Sequence, residues 1–161
     1  MKPDQPSAIM GLYRQIANGT PDAEDFLWLW GCYLRAVDDV IDDEKWDSES
    51  VLSVLVLACS FYSHPFYVRH ASTLQMVVML ATNSWADSVK WERANEQWKR
   101  EWADVLRHAG NEVIMATAMI CGNWQAMRDI SSPLMAMCYV YHADKHGVPG
   151  RPERQLTATI K

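Results

Sequence analysis

The residues best suited to chemistry in this sequence are four aspartates within one short run, Asp38, Asp39, Asp42 and Asp43. They close an apolar segment with helical spacing, and residues three and four apart share one face of a helix. Asp38 therefore lies beside Asp42, and Asp39 lies beside both Asp42 and Asp43. Four like charges at a helix C-terminus repel one another and oppose the helix dipole, so a bound cation would stabilise them.

The cation that fits this run is Mg²⁺. Carboxylate oxygens are ligands that Mg²⁺ prefers, and Mg²⁺ commonly combines one or two carboxylates with the phosphates of a substrate. We therefore expect a magnesium site at this helix end. The alternative is a solvated acidic helix end that leads into the turn at Asp47 and Ser48.

A second polar stripe follows in the fourth predicted helix, which begins near Tyr67 or Ser72 and reaches at least residue 92. Its members recur at intervals of three to four, and the stripe is apolar in its first half and polar in its second: Met76, Leu80, Asn83 and Asp87. The helix with the acidic run has the same layout, because three small or apolar residues precede its aspartates: Leu27, Gly31 and Leu34. Both helices are thus apolar first and polar last.

The two stripes together predict a metal-lined opening on an apolar pocket. If the third helix is a single antiparallel pass, the second and fourth helices run parallel and their polar ends meet above an apolar lumen. We expect Asn83 and Asp87 to join the aspartates as metal ligands, and Leu27, Gly31, Leu34, Met76 and Leu80 to bind the apolar part of a substrate. The alternative for Asn83 and Asp87 is ordinary polarity of an exposed helix face.

Three basic residues lie within a turn or two of these polar ends: Arg35, Lys90 and Arg93. Their charges can pair with substrate phosphates through charge-assisted hydrogen bonds. The sequence predicts them as substrate-binding residues, and the alternative is a set of surface salt bridges to the same carboxylates.

The pattern Asp38-Asp39-x-x-Asp42 resembles the aspartate-rich motif of class I isoprenoid synthases, the family of prenyl transferases and terpene cyclases. Asn83-x-x-x-Asp87 resembles the first part of the second metal motif of that family, in which Asn, then Ser or Asp, then Glu recur every four residues. The third position departs from the motif, since Trp91 stands there and the nearest acid follows one residue later. The resemblance covers roughly residues 25 to 95.

The resemblance implies an all-α bundle that binds Mg²⁺ and an allylic diphosphate at the mouth of an apolar cavity. It implies a catalytic role for Asp38, Asp39 and Asp42, whose metal ions would stabilise the departing diphosphate. An isoprenoid diphosphate, or a similar amphipathic phosphate, is the ligand that it predicts. Turnover of that ligand, by transfer or by elimination, is the corresponding enzymatic expectation.

Periodicity along the chain independently predicts the all-α class, as a compact antiparallel bundle of about five to six helices. Gly and Pro are few and stand mainly between periodic segments, and alternating strand patterns are missing from the sequence. We expect one helical domain over residues 1–147 and a flexible polar tail over residues 148–161. The predicted helices are about Pro6–Ala17, Thr20 or Asp22 to Lys45, Glu49–Tyr62, the fourth helix with a possible extension to Arg107, about Asn111–Met127, and Ser132–Lys145 with Pro133 in its first turn.

Other motifs are weaker. His142 and His146 have the i, i+4 spacing that can hold a transition metal, although histidines at a helix C-terminus also suit the helix dipole. Glu101-x-x-Asp104 matches half of the pattern of MazG-type nucleotide pyrophosphatases, which are Mg²⁺-dependent helical proteins. The preceding Glu-x-x-Glu of that pattern is missing from the sequence at a suitable spacing.

A non-catalytic function is the main alternative to the interpretation of this chain as an isoprenoid synthase. Trp91, Trp98 and Trp102 fall at heptad-like intervals, which favours a seam that binds another helix or a second copy of the chain. In this interpretation the acidic run lies on the protein surface without binding a metal, and the protein is an interaction or oligomerisation module. A homodimer through this seam is therefore expected.

The composition of the chain limits its possible binding partners and its cellular compartment. The formal net charge of −5, without a cluster of Lys and Arg, predicts no binding to nucleic acid. The longest apolar stretch, Val51 to Phe61, is far short of the ~20 residues of a membrane helix. The four cysteines lie far apart in the sequence and are predicted to be reduced residues of the core, so a cytoplasmic protein is expected. They are Cys32, Cys59, Cys121 and Cys138.

Overall fold

The computed structural model describes the backbone of residues 5–42 and 47–146, and the side chains of residues 9–41 and 47–136. All regular structure in these ranges is helical, which confirms the predicted class. In the same ranges, eight α-helices and one short 3-10 turn replace the predicted five to six helices. They are α1 (Gln5–Ala17), α2 (Ala23–Asp42), α3 (Ser48–Ser63), α4 (Pro65–Arg69), α5 (Ala71–Glu92), α6 (Gln97–Arg107), the 3-10 turn (His108–Gly110), α7 (Asn111–Cys121) and α8 (Trp124–His146).

The first helix boundaries follow from local chemistry and agree with the sequence. α1 ends at Ala17, and the two residues that follow, Asn18 and Gly19, adopt positive φ angles of 46° and 77°. Asp47 caps α3, because its Oδ1 atom accepts a hydrogen bond from the backbone N–H of Ser50 at 2.9 Å. These boundaries were predictable because each depends on a few neighbouring residues.

The predicted extension of the fourth helix to Arg107 is wrong. α5 ends at Glu92, and the chain reverses within a short turn so that α6 packs back against α5. Arg100 stabilises this turn, since its Nη1 atom donates hydrogen bonds to the carbonyl oxygens of Ala94 and Asn95 at 2.8 Å each. A side chain from the next helix therefore ends α5.

The last two helices also divide differently from the prediction. The fifth predicted helix, to Met127, ends instead at Cys121, and α8 continues through Pro133 rather than beginning there. Asn123 sets the new start, because its Oδ1 atom accepts hydrogen bonds from the backbone N–H groups of Gln125 and Ala126. An asparagine cap fits this position as well as a Ser-Pro pair would fit the predicted one.

The core joins residues of every α-helix except α6 around a cluster of aromatic rings. Phe26 of α2 packs on Phe61 of α3 and on Phe66 of α4, with ring centroids 5.2 and 5.0 Å apart. Trp30 is buried in the same cluster, and its indole N–H donates to the carbonyl oxygen of Gly110 at 3.0 Å. This bond fixes the middle of α2 beside the 3-10 turn, and so helps to position the acidic end of α2.

Two of the predicted features lie outside the described residues. They are the polar tail at residues 148–161 and the metal ligand Asp43. Among the helices of residues 5–42 and 47–146, none combines the length and the apolar character needed to span a membrane.

Candidate functional site

The negative charges at the acidic end of α2 are paired with an arginine of the same helix. Nη2 of Arg35 lies 2.7 Å from Oδ1 of Asp39, and Nη1 lies 3.7 Å from Oδ2 of Asp38. These are the i, i+4 and i, i+3 contacts that helical spacing allows. Arg35, predicted to bind substrate phosphates, therefore pairs with the carboxylates in this structure.

A second cation reaches the same carboxylates from a distant part of the chain. Nη1 of Arg107, the last residue of α6, lies 3.9 Å from Oδ1 of Asp38, and Nη2 pairs with Oε2 of Glu92 at the end of α5. The Arg107 side chain is only 15% exposed, so water screens these contacts weakly. The C-terminal ends of α2 and α5 thus meet at one guanidinium.

One carboxylate oxygen in this group is paired with a cation but not by a well-directed hydrogen bond. Oδ1 of Asp39 is buried and lies 2.7 Å from Nη2 of Arg35, yet no donor among the described residues points at it with good geometry. Hard oxygen donors of this kind fit Mg²⁺. Within the described residues, however, no three His, Cys, Asp or Glu side chains are grouped closely enough to hold a metal ion. The side chain of Asp42 and all of Asp43 lie outside this description, so the predicted ligand set is described only in part.

The predicted stripe of α5 lies on the outer surface of that helix. Met76 and Leu80 are 66% and 63% exposed, and Asn83 is exposed as well. The face of α5 that packs into the core carries Leu74, Val78 and Ala81 instead. Since these buried positions are about half a turn away from the predicted stripe, Met76, Leu80 and Asn83 point away from the core. Asp87 is partly buried, while Lys90 and Arg93 are exposed.

The corresponding stripe of α2 is part of the packed core. Leu27 is fully buried. Gly31 lies against Tyr13, whose hydroxyl oxygen would be 3.3 Å from a Cβ atom at position 31. Leu34 packs so closely on Gly110 that a Cβ atom there would be 2.7 Å from the leucine Cδ1 atom. The structure therefore places the two apolar stripes on different sides of the bundle rather than opposite each other.

Two residues of this site were not assigned from the sequence. Glu92 was noted only as the acid that follows Trp91, and it is the α5 residue that shares a cation with Asp38. Arg107 gave no local signal, because it is separated by many residues from both carboxylates and only the reversal after α5 brings it back. The buried position of a cation between two helix ends is a tertiary property.

The tryptophans lie on two helices rather than one. Trp91 of α5 contacts Trp98 of α6 edge to face, with ring centroids 5.6 Å apart. Trp98, Trp102 and Val105 share one face of α6 and are each more than half exposed. The heptad-like interval therefore does not describe a single helix, but an exposed apolar stripe remains on α6.

The remaining candidates are dispersed. His142 and His146 belong to the last turns of α8, where side chains are outside the description. Glu101 and Asp104 are exposed on α6. Cys32 and Cys121 are partly buried, and burial raises the pKa of both thiols, so they remain protonated at neutral pH. Cys59 differs from the prediction of a core residue, because it is exposed on α3.

No protein-family model, no curated protein and no solved structure matches this chain. The isoprenoid-synthase reading therefore depends on the short motif of α2 and on the geometry around it.

Proposed function

We propose that the acidic end of α2 binds Mg²⁺ and, through it, the diphosphate group of an isoprenoid diphosphate. The observation that carries this proposal is the contact of Arg107 with both Asp38 and Glu92, which brings the acidic ends of two helices together. The concentration of carboxylates at this end supports the metal part of the proposal, and the arginines beside them support the diphosphate part. The isoprenoid part follows from the resemblance of Asp38-Asp39-x-x-Asp42 to the aspartate-rich motif.

In this proposal Asp38, Asp39 and Asp42 hold the metal, with Asp43 as a further ligand. The buried Oδ1 atom of Asp39 supports it, since this oxygen already holds a cation, the Arg35 guanidinium, in a poorly directed contact that a metal ion would replace. The bound metal would stabilise the negative charge of a departing diphosphate. Asn83 is not assigned to this metal, because it is exposed on the outer face of α5.

Arg35 and Arg107 have different roles in the proposal. The Arg35 side chain is half exposed, so it can exchange Asp39 for phosphate oxygens when a metal takes the carboxylate. Arg107 is held between Asp38 and Glu92 and keeps the two helix ends together. One guanidinium thus binds the ligand, and the other maintains the site.

The test is thermal unfolding with Mg²⁺ and farnesyl diphosphate as the probe. A ligand present at about 100 times its dissociation constant stabilises the folded protein by about 2.7 kcal/mol, which raises Tm by several degrees. Mg²⁺ with inorganic diphosphate tests the metal and phosphate part alone, and farnesol tests apolar binding alone. We expect the full shift only with Mg²⁺ and the prenyl diphosphate together.

The matched variants are two pairs of acidic residues on different helices. Asp38→Asn with Asp39→Asn should abolish the ligand-induced shift, whereas Glu101→Gln with Asp104→Asn on α6 should leave it unchanged. Each variant is compared with its own unliganded Tm, because the first pair also loses contacts to arginines. A full shift in the Asp38 and Asp39 variant would refute the proposal.

A second candidate function is self-association through α6. It is favoured by the stripe of Trp98, Trp102 and Val105, because exposed tryptophans are characteristic of interface hot spots. Sedimentation equilibrium of Trp98→Ala with Trp102→Ala tests it, and loss of a dimer present in the native chain is the expected result. An unchanged association state in this variant would contradict it.

A further inference from the structure

Arg107 lies unequally between Asp38 and Glu92. Its Nη2 atom pairs directly with Oε2 of Glu92, whereas its Nη1 atom is 3.9 Å from Oδ1 of Asp38. Charge-assisted hydrogen bonds between a guanidinium and a carboxylate are about 2.7 to 2.9 Å long. The contact between Nη1 and Oδ1 is therefore an ion pair without a hydrogen bond, and Glu92 is the closer of these two partners.

Burial alone would favour the opposite arrangement. The Asp38 side chain is 24% exposed and the Glu92 side chain is 49% exposed, so water screens a charge pair at Asp38 less. At equal distances, the mostly buried guanidinium of Arg107 would be attracted more strongly to Asp38 than to Glu92. The observed preference for Glu92 therefore needs a geometric cause.

That cause is the packing of α6. Glu92 and Arg107 are the last residues of α5 and α6, and α6 packs mainly on α5 and on the 3-10 turn. Arg100 holds the turn between the two helices through the carbonyl oxygens of Ala94 and Asn95. Glu92 is thus placed within reach of Arg107 by the contact of two neighbouring helices, whereas Asp38 approaches from α2.

We propose that Glu92 is a positioning residue for the metal site at the acidic end of α2, an inference that rests on the proposed function. By binding Nη2, Glu92 keeps the guanidinium of Arg107 at ion-pair distance from Asp38 and prevents a direct hydrogen bond between them. Asp38 then exchanges this longer contact for Mg²⁺ without breaking a hydrogen bond to Arg107. Glu92 acts through Arg107 and does not coordinate the metal.

Asp39 gives up its cation by a different route. Nη2 of Arg35 lies 2.7 Å from Oδ1 of Asp39, but the Arg35 side chain is half exposed, so it can turn into water at little cost. Arg107 is 15% exposed and has no such freedom. Glu92 therefore provides for Arg107 the alternative partner that water provides for Arg35.

Isothermal titration calorimetry with Mg²⁺ alone as the probe tests the inference. Glu92→Gln keeps the shape of the side chain and removes its charge, so Arg107 should move onto Asp38. Mg²⁺ should then bind about tenfold more weakly, because it must break a charge-assisted hydrogen bond. Glu101→Gln is the matched control, since it removes the same charge from an exposed residue of α6, and it should change the affinity less than about twofold.

A double-mutant cycle separates an effect through Arg107 from a direct effect of the Glu92 charge on the metal. In chains that carry Arg107→Met, no guanidinium from α6 can move onto Asp38. Glu92→Gln should therefore change the Mg²⁺ affinity of these chains by less than about threefold. A merely structural role of Glu92 would lower Tm without producing this difference between the two backgrounds. Circular dichroism and Tm of each variant without Mg²⁺ establish that it is folded.

The coupling between Arg107 and Asp38 gives a second readout that needs no metal. Urea denaturation of Arg107→Met, of Asp38→Asn and of the double variant measures how strongly the two side chains interact. This coupling should be larger in chains that carry Glu92→Gln, because the guanidinium is then closer to Asp38. An unchanged or smaller coupling would overturn the inference whether or not the native chain binds Mg²⁺.

Three affinity results would also overturn the inference. They are equal Mg²⁺ affinities of the native chain and Glu92→Gln, an equal loss in Glu101→Gln, and an undiminished effect of Glu92→Gln in the presence of Arg107→Met. If Arg107→Met does not fold, the first two comparisons still decide. These results leave the proposed function intact, whereas a native chain that does not bind Mg²⁺ would overturn the proposed function and this inference together.

Discussion

Nη1 of Arg107 lies 3.9 Å from Oδ1 of Asp38, and this contact joins the end of α6 to the acidic end of α2. The same guanidinium pairs with Glu92 of α5. Three helix ends are therefore held together by one mostly buried cation. Without it, the carboxylates of α2 and α5 would repel each other at the same end of the bundle.

Replacing Arg107 should reduce stability more than replacing an exposed arginine. Arg107→Met removes the charge that two carboxylates share, and the free energy of unfolding should fall by about 1 to 3 kcal/mol. Arg128→Met on the exposed surface of α8 should change it by less than about 0.5 kcal/mol. Urea denaturation measures both values. Equal effects in the two variants would show that the contacts of Arg107 contribute little.

Replacing Arg35 should change metal binding and diphosphate binding in opposite directions. Arg35→Ala removes a cation 2.7 Å from Asp39, so Mg²⁺ alone should bind a few-fold more tightly. Binding of farnesyl diphosphate in the presence of Mg²⁺ should weaken by about tenfold or more, because a charge-assisted hydrogen bond to phosphate is lost. Isothermal titration calorimetry separates the two. If both affinities moved in the same direction, the proposed exchange of partners would be wrong.

The turn between α7 and α8 should not accept a side chain at Gly122. A Cβ atom there would lie 2.6 Å from Cβ of Ala126 and 3.3 Å from the carbonyl oxygen of Ala118, and neither atom is at the end of a flexible side chain. Gly122→Ala should therefore destabilise the protein by about 1 to 3 kcal/mol. Gly11→Ala is the control, because its Cβ atom would meet nothing within 4 Å, and it should stabilise α1 by up to about 1 kcal/mol. Thermal unfolding that ranked the two variants in the reverse order would contradict this packing.

The ion pair between Asp22 and Arg69 should make part of the stability depend on pH. Partial burial raises the pKa of Asp22, but the hydrogen bond and charge of Arg69 outweigh this effect, and the pKa falls below the ordinary 3.8. Both carboxylate oxygens lie 2.6 Å from Nη2 of Arg69. A carboxyl group whose pKa is lower in the folded state adds stability above its unfolded pKa, and loses it as pH falls through the folded pKa.

Asp22→Asn should therefore be less stable than the native protein at about pH 7, by at most about 1 kcal/mol because Arg69 is half exposed. The difference should shrink as the pH falls below 3.8, where the native carboxylate becomes protonated. Urea denaturation at about pH 7 and at a pH below 3.8 measures the difference in stability, with Asp25→Asn on the same helix as the control. A difference that was the same at both pH values would exclude the ion pair as its cause.

Much of the secondary structure was predictable because its causes are local. The cap at Asp47 and the stop at Asn18 and Gly19 each depend on neighbouring residues, and both agree with the sequence. The break after Glu92 was not predictable, since its stabilising hydrogen bonds come from Arg100 in the following helix. Asn123 could have been recognised as a cap, but the Ser132-Pro133 pair competed with it as a start signal.

The candidate site divides in the same way. An all-helical chain and a helix that ends in aspartates could be predicted, because helical periodicity and the spacing of Asp38 and Asp39 are properties of one segment. The packing of the helices sets which residues meet that end, Arg107 and Glu92, and which face of α5 lies inward. A stripe with mixed apolar and polar residues fits the surface as well as a lumen. Only packing against the other helices distinguishes the two, and it buried Leu74 and Val78 and left Met76 and Leu80 exposed.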